Sequence, residues 1–92
     1  MKLIGFIETG LANNQTHSIP KNSEILSAKI SPYGLIISYI YDITFQNDRE
    51  NRNFLVLNSS DTVPSHLSQV HLVDSVFIND TIFHVFENPW VF

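Results

Sequence analysis

The chain contains no cysteine, which excludes disulfide scaffolds, thiolate chemistry and cysteine-ligated zinc. Charge is also scarce: Asp, Glu, Lys and Arg make up 15% of the residues, against roughly 25% in soluble domains at large. Only five residues are Lys or Arg, and the formal net charge is −4 with a pI near 5.3. Nucleic-acid binders draw their affinity mainly from cations that neutralise phosphates, so no direct nucleic-acid contact is expected. Gly5, Gly10 and Gly34 are the only glycines, and none lies in a phosphate-loop or dinucleotide pattern. Long hydrophobic runs are missing as well. The opening stretch Leu3-Ile4-Gly5-Phe6-Ile7 is interrupted by Glu8, far short of a membrane span or a signal-peptide core, so the chain is expected to be soluble and intracellular with no membrane partner.

What is present is apolar and amide-rich. The 92 residues include seven Phe and eleven Ile, 43% are apolar, and Asn and Ser supply much of the polar surface. That length accommodates a single domain, residues 1–92. A surface wetted by neutral groups repels itself less than a charged one, which favours binding to a partner or to a second copy.

Strand patterns recur along the chain. Leu3–Thr9 reads as a strand ended by Gly10, and Thr16–Ile19 as a short extended segment ended by Pro20. Glu24–Ser31 alternates, with Leu26, Ala28 and Ile30 on one face; Ile25 breaks the pattern. Pro32-Tyr33-Gly34 is a turn leading into Leu35–Phe45, a central strand apolar on both faces and paired back to Glu24–Ser31. Gln46–Asn53 is the most polar stretch and reads as an exposed loop. Phe54–Leu57 is a short strand, and Pro64–Ser68 suits a single helical turn. Val70–Phe86 reads as a β-hairpin reversing at Asn79-Asp80, which sets Ile78 opposite Thr81, Phe77 opposite Ile82, Val76 opposite Phe83, Ser75 opposite His84 and Asp74 opposite Val85. One face then carries Val76, Ile78, Phe83 and Val85, the other Val73, Phe77, Ile82 and Phe86. No window has a helical period, and the expected fold is all-β: a small antiparallel sandwich or partly open barrel of six to seven short strands with a C-terminal hairpin.

Catalytic and metal patterns fail on geometry. His71 and His84 fall on the hairpin face that bears Ser75, yet about 13 Å apart at the strand rise per residue, too far to share an ion. His17 and His66 have no ligand spacing. Ser75, His84 and Asp74 are suggestive as a triad, but Asp74 points to the opposite face from Ser75. Asp48 and Glu50 sit beside Arg49 and Arg52 as solvated charges. No catalytic residue, cofactor or metal is therefore expected. The remaining signal is aromatic, since Tyr and Trp pair an apolar body with a polar tip and favour interfaces. Tyr39, Tyr41, Trp90 and Phe92, with the acidic pair Asp48 and Glu50, are the candidate partner-binding residues.

Two segments carry a resemblance. Ile19-Pro20-Lys21-Asn22-Ser23-Glu24-Ile25-Leu26-Ser27 resembles an "(I/M)PKGAEILSV" segment, and Phe83-His84-Val85-Phe86-Glu87 a terminal "FHVFE", of a family of small phage and prophage proteins of unknown function. The chain departs from that family at Asn79-Asp80, where the family's hairpin turn is Gly-rich, and at Asn58-Ser59-Ser60-Asp61, where the family has Gly-Thr-Gly-His-Pro. The resemblance implies a viral origin and an all-β fold and supplies no catalytic residues. The expectation that follows is a non-enzymatic accessory protein in the host cytoplasm, binding and inhibiting a host protein or complex in an anti-defence or anti-CRISPR type of role. A homodimer is compatible with it. The alternatives are a binder that sequesters a nucleotide immune signal and a minor virion component.

Overall fold

The computed structural model describes residues 1–62 and 71–88. Seven antiparallel strands form two sheets: β1 (Lys2–Thr9), β2 (Asn14–Pro20), β3 (Glu24–Ser31), β4 (Gly34–Asp42), β5 (Arg49–Asn58), β6 (His71–Ile78) and β7 (Thr81–Asn88). One sheet has the order β1-β4-β3 and the other β2-β5-β7-β6, in a sandwich-like arrangement. The expected all-β class and C-terminal hairpin are both present.

The hairpin follows the register expected from its turn. Ile78 faces Thr81, Phe77 faces Ile82, Val76 faces Phe83, Ser75 faces His84 and Asp74 faces Val85. Asn79 and Asp80 have φ of 49° and 63°, the left-handed pair that a two-residue turn between twisted strands requires. Alternation in β3 is broken by a bulge between Ile25 and Ser27. The extra residue is Leu26, so Ile25 rather than Leu26 packs on the core beside Ala28, which accounts for the one residue out of step in the sequence pattern. A second bulge, between Leu72 and Asp74, corrects two expectations. Val73 turns to the core instead of the far face. His71 comes opposite Glu87 and so leaves the face that carries Ser75 and His84.

The core lies between the sheets. Ala28, Leu35 and Ile37 from one meet Phe54, Val56, Val76 and Val85 from the other. Gly34 opens β4 at φ 134°, and a Cβ there would lie 2.9 Å from the Thr9 carbonyl oxygen, so the Pro32-Tyr33 turn requires glycine. The central strand expected over Leu35–Phe45 stops at Asp42, whose carboxylate accepts from Thr44 N–H and caps a single 3-10 turn, Ile43–Phe45.

Gln46–Asn53 is corrected most. Only its first part is a turn; β5 begins at Arg49 and pairs with β2, Glu50 opposite Ile19 and Arg52 opposite His17. The strand tolerates these charges because Arg52 is ion-paired rather than solvated. The Pro64–Ser68 turn lies outside the described residues.

Candidate functional site

Cross-strand pairing sets out the outer face of the β1-β4-β3 sheet in rows. Lys2 lies beside Asp42. Ile4, Ile40 and Glu24 form the next row, then Phe6, Ser38 and Ser27, and then Glu8, Ile36 and Lys29. Ile4 is 72% and Phe6 68% exposed, and Ile36 and Ile40 are half-buried. The centre of this face is therefore apolar except for Ser27 and Ser38, whose hydroxyls bond each other at 2.7 Å, and charges of both signs surround it. An apolar centre inside a polar rim is the usual anatomy of a protein-binding surface. A cleft of about 230 Å³ continues it at one end, lined by Lys2, Glu24, Ile40, Tyr41, Asp42 and Phe45. The Asp42 carboxyl is held below its ordinary pKa by the hydrogen bonds from Thr44.

The sequence-expected residues distribute unevenly around this surface. Tyr41 lines the cleft and is partly exposed. Tyr39 is corrected: it points inward, is 7% exposed, and lays its ring on Gly5, so it offers a partner no surface. Asp48 is exposed in the turn before β5, where its carbonyl accepts from Lys21 N–H at 2.7 Å. Glu50 is partly buried and bonded to Asn22 N–H and to Arg52. Trp90 and Phe92 lie outside the described residues. Ile4 and Phe6, the most exposed large apolar side chains of the outer face, were not singled out, although their spacing of two within an apolar strand is the signal that would have found them.

A second polar cluster centres on Arg52. Its Nε and Nη2 donate to the two oxygens of Glu87, and its Nη1 donates to the Ser23 carbonyl at 2.9 Å and to Glu50. These contacts raise the Arg52 pKa above its ordinary value, Glu87 contributing most. Beside it, Glu50, Asn53, His71, Glu87 and Asn88 line a cleft of about 390 Å³. Arg52 is already satisfied by carboxylates, which leaves the cleft poorly equipped to hold a phosphate.

Ser75 Oγ and His84 Nδ1 are 2.7 Å apart. The Asp74 carboxylate faces the other way, bonded to Lys29 Nζ at 3.0 Å and to Ala28 N–H at 3.3 Å. A serine-histidine pair needs a third group to hold the imidazole, and Asp74 is committed to the other sheet. Among the described residues, no three His, Asp or Glu side chains converge as a metal ion would require. On the outer face of the other sheet, Phe77 and Ile82 are neighbours, 59% and 50% exposed.

Comparison with protein-family models, with curated proteins and with solved structures finds no match to this chain.

Proposed function

We propose that the chain is a non-enzymatic binding module that docks the outer face of the β1-β4-β3 sheet on a protein of the host cell and inhibits that protein by occlusion. The observation that carries this reading is the contiguous apolar surface of Ile4, Phe6, Ile36 and Ile40 within a charged rim. Burial of exposed aromatic and branched side chains is the main source of binding energy at such interfaces, while the rim selects the partner. The charge balance of −4 favours a partner with basic surface, though the acidic groups are dispersed and shape does more of the selection.

The phage setting is supported by the resemblance and by one structural detail. The family motif has Gly at the position held here by Asn22, and Asn22 has φ 62°, a conformation that Gly, and to a lesser degree Asn, adopts readily. The two resembling segments also share a partner: Arg52 binds the Ser23 carbonyl of one and Glu87 of the other. Sequestration of a nucleotide is the weaker reading, because Arg52 is neutralised by Glu87 and Glu50.

A photo-crosslinking residue in place of Ser38, in the middle of the face, tests the proposal in host cells. One discrete host protein should be captured, capture should vanish in a folded Ile36→Ser/Ile40→Ser variant, and the purified partner should lose activity on adding this chain. Crosslinking no greater than from a probe at Ser59 sinks the idea. Co-purification with virions instead would make the chain a structural component, and a nucleotide released on heat extraction would make it a ligand binder.

A further inference from the structure

We propose that two copies of the chain pair through β1, antiparallel about a two-fold axis at Gly5, to form a continuous six-stranded sheet. Among the described residues, strand β1 pairs with β4 and with no strand on its other side. Its side chains are open on both faces, with Leu3 36% exposed on the inner side and Ile4 and Phe6 still more so on the outer.

The other edge strands are protected in the ways that natural sheets protect their edges. Strand β2 is polar through Asn14, Gln15, Thr16, His17 and Ser18 and ends at Pro20, which has no N–H to offer. The β3 edge is occupied by Asp74 of β6, which accepts from Ala28 N–H and pairs with Lys29; β3 and β6 thereby cover each other. Strand β1 has no proline and a single lysine at its end, and among the described residues no strand covers it. An apolar edge of this kind is a template for another strand.

The sequence of β1 is its own complement. With Gly5 opposite Gly5, Lys2 falls opposite Glu8, Leu3 opposite Ile7 and Ile4 opposite Phe6, each pair occurring twice by symmetry. Opposite charges meet at both ends, aliphatic side chains meet on the inner face, and a β-branched residue meets an aromatic one on the outer face, all favourable cross-strand pairs. Paired residues must share a face, so the alternatives are shifts of the axis by a whole residue. An axis at Ile4 sets Lys2 against Phe6 and Leu3 against Gly5, and an axis at Phe6 sets Glu8 against Ile4. Only the Gly5 axis pairs the charges. The interface is isologous and closed, as two-fold dimers require. A single strand pair belongs with the small interfaces, below about 1,200 Å², that associate weakly and reversibly. Pairing uses the edge and leaves the outer face free, joining Ile4 and Phe6 of both copies into one double-sized apolar surface.

The test is a charge cycle read by sedimentation velocity over a dilution series, with far-UV circular dichroism to verify folding. Wild-type chain should dimerise reversibly, K2E and E8K should each raise the dissociation constant by about tenfold, and the double variant should return close to wild type because both cross-strand pairs are restored. Glu8 lies beside Ile36 within its own sheet whereas Lys2 lies beside Asp42, so E8K is the cleaner single change. The cysteine-free background permits an independent check. An I4C/F6C variant should oxidise to a covalent dimer, because opposed Cα atoms of an antiparallel pair lie about 4.5–5.5 Å apart, within the range a disulfide spans. A folded wild-type chain that stays monomeric, a dimer indifferent to the charge cycle, or an I4C/F6C variant that does not crosslink overturns the proposal.

Discussion

Tyr39 occupies the space that a side chain at Gly5 would need: a Cβ built on Gly5 lies 2.6 Å from Tyr39 Cζ and 2.7 Å from its Oη. The two residues are direct partners across β1 and β4, so the aromatic ring covers the backbone that glycine leaves bare. Ala in a strand is normally better than Gly, yet here the added methyl must displace a buried ring. Gly5→Ala is expected to destabilise by about 1–2 kcal/mol, the usual cost of overpacking. In a Tyr39→Leu background the same substitution should be neutral or favourable. Urea unfolding of the four proteins in that cycle measures the coupling, and equal effects of Gly5→Ala in both backgrounds would show that the contact is not strained.

The hairpin turn offers the opposite sign. Asp80 holds φ 63° and is exposed, in a two-residue turn for which Asn-Gly is the favoured sequence. Asp80→Gly should relieve the left-handed strain and raise stability by about 0.5–1 kcal/mol with no change in register. Thermal unfolding would register the gain, and a loss would mean that the Asp80 side chain makes a contribution larger than the strain.

The hairpin register was legible because a two-residue turn and a strict alternation leave few alternatives, and every pair from Asp74–Val85 to Ile78–Thr81 followed. Beyond Asp74 the reading failed at the bulge, which carries no mark in the residue types around Leu72 and Val73. In Gln46–Asn53 local polarity pointed to solvent, whereas the charge of Arg52 is satisfied by Glu87, distant in sequence. Residue type alone made Tyr39 read as an interface aromatic, which its burial contradicts. Its inward direction depends on the pairing with Gly5, which the local sequence of β4 does not contain. The apolar outer face was hidden for a related reason: Ile36 and Ile40 on β4 acquire Ile4 and Phe6 as neighbours only once β1 is paired.

Arg52 joins β5 to the β2–β3 connection and to β7, its partners Glu87 and Ser23 lying on different segments. The Arg52 and Glu87 side chains are 20% and 15% exposed, so removing one charge leaves the other poorly solvated. Arg52→Met is expected to cost about 2–4 kcal/mol, whereas Arg52→Met/Glu87→Met should recover most of that loss because an apolar pair carries no desolvation penalty. The discriminating measurement is the difference between single and double variants in chemical unfolding. A double variant less stable than Arg52→Met would assign the cluster's value to packing of the charged side chains themselves.

Asp74 closes the sandwich at the β3–β6 side and should make that closure acid-sensitive. Its hydrogen bond with Lys29, then those from Ser75 and Ala28 N–H, hold its pKa below the ordinary carboxylate value against the opposing effect of burial. The folded state therefore favours the ionised form, and the unfolded state binds the proton first as pH falls. The stabilisation from Asp74 is fully present above the unfolded pKa of about 3.9 and is lost as pH falls through the depressed folded value. Asp74→Asn should cost about 1 kcal/mol at neutral pH through the weakened contacts to Lys29 and Ala28, and the gap from wild type should narrow below about pH 4. His17, whose pKa burial lowers, adds its own slope nearer neutrality; it is common to both proteins and cancels in the difference. Urea unfolding at a series of pH values gives that difference directly. Lys29→Met removes the largest single cause of the shift and should move the Asp74 carboxyl titration, followed by carbon NMR, back toward its ordinary range. A gap constant through the acid range would show that Asp74 acts by shape and hydrogen bonding alone, with its charge contributing nothing to closure.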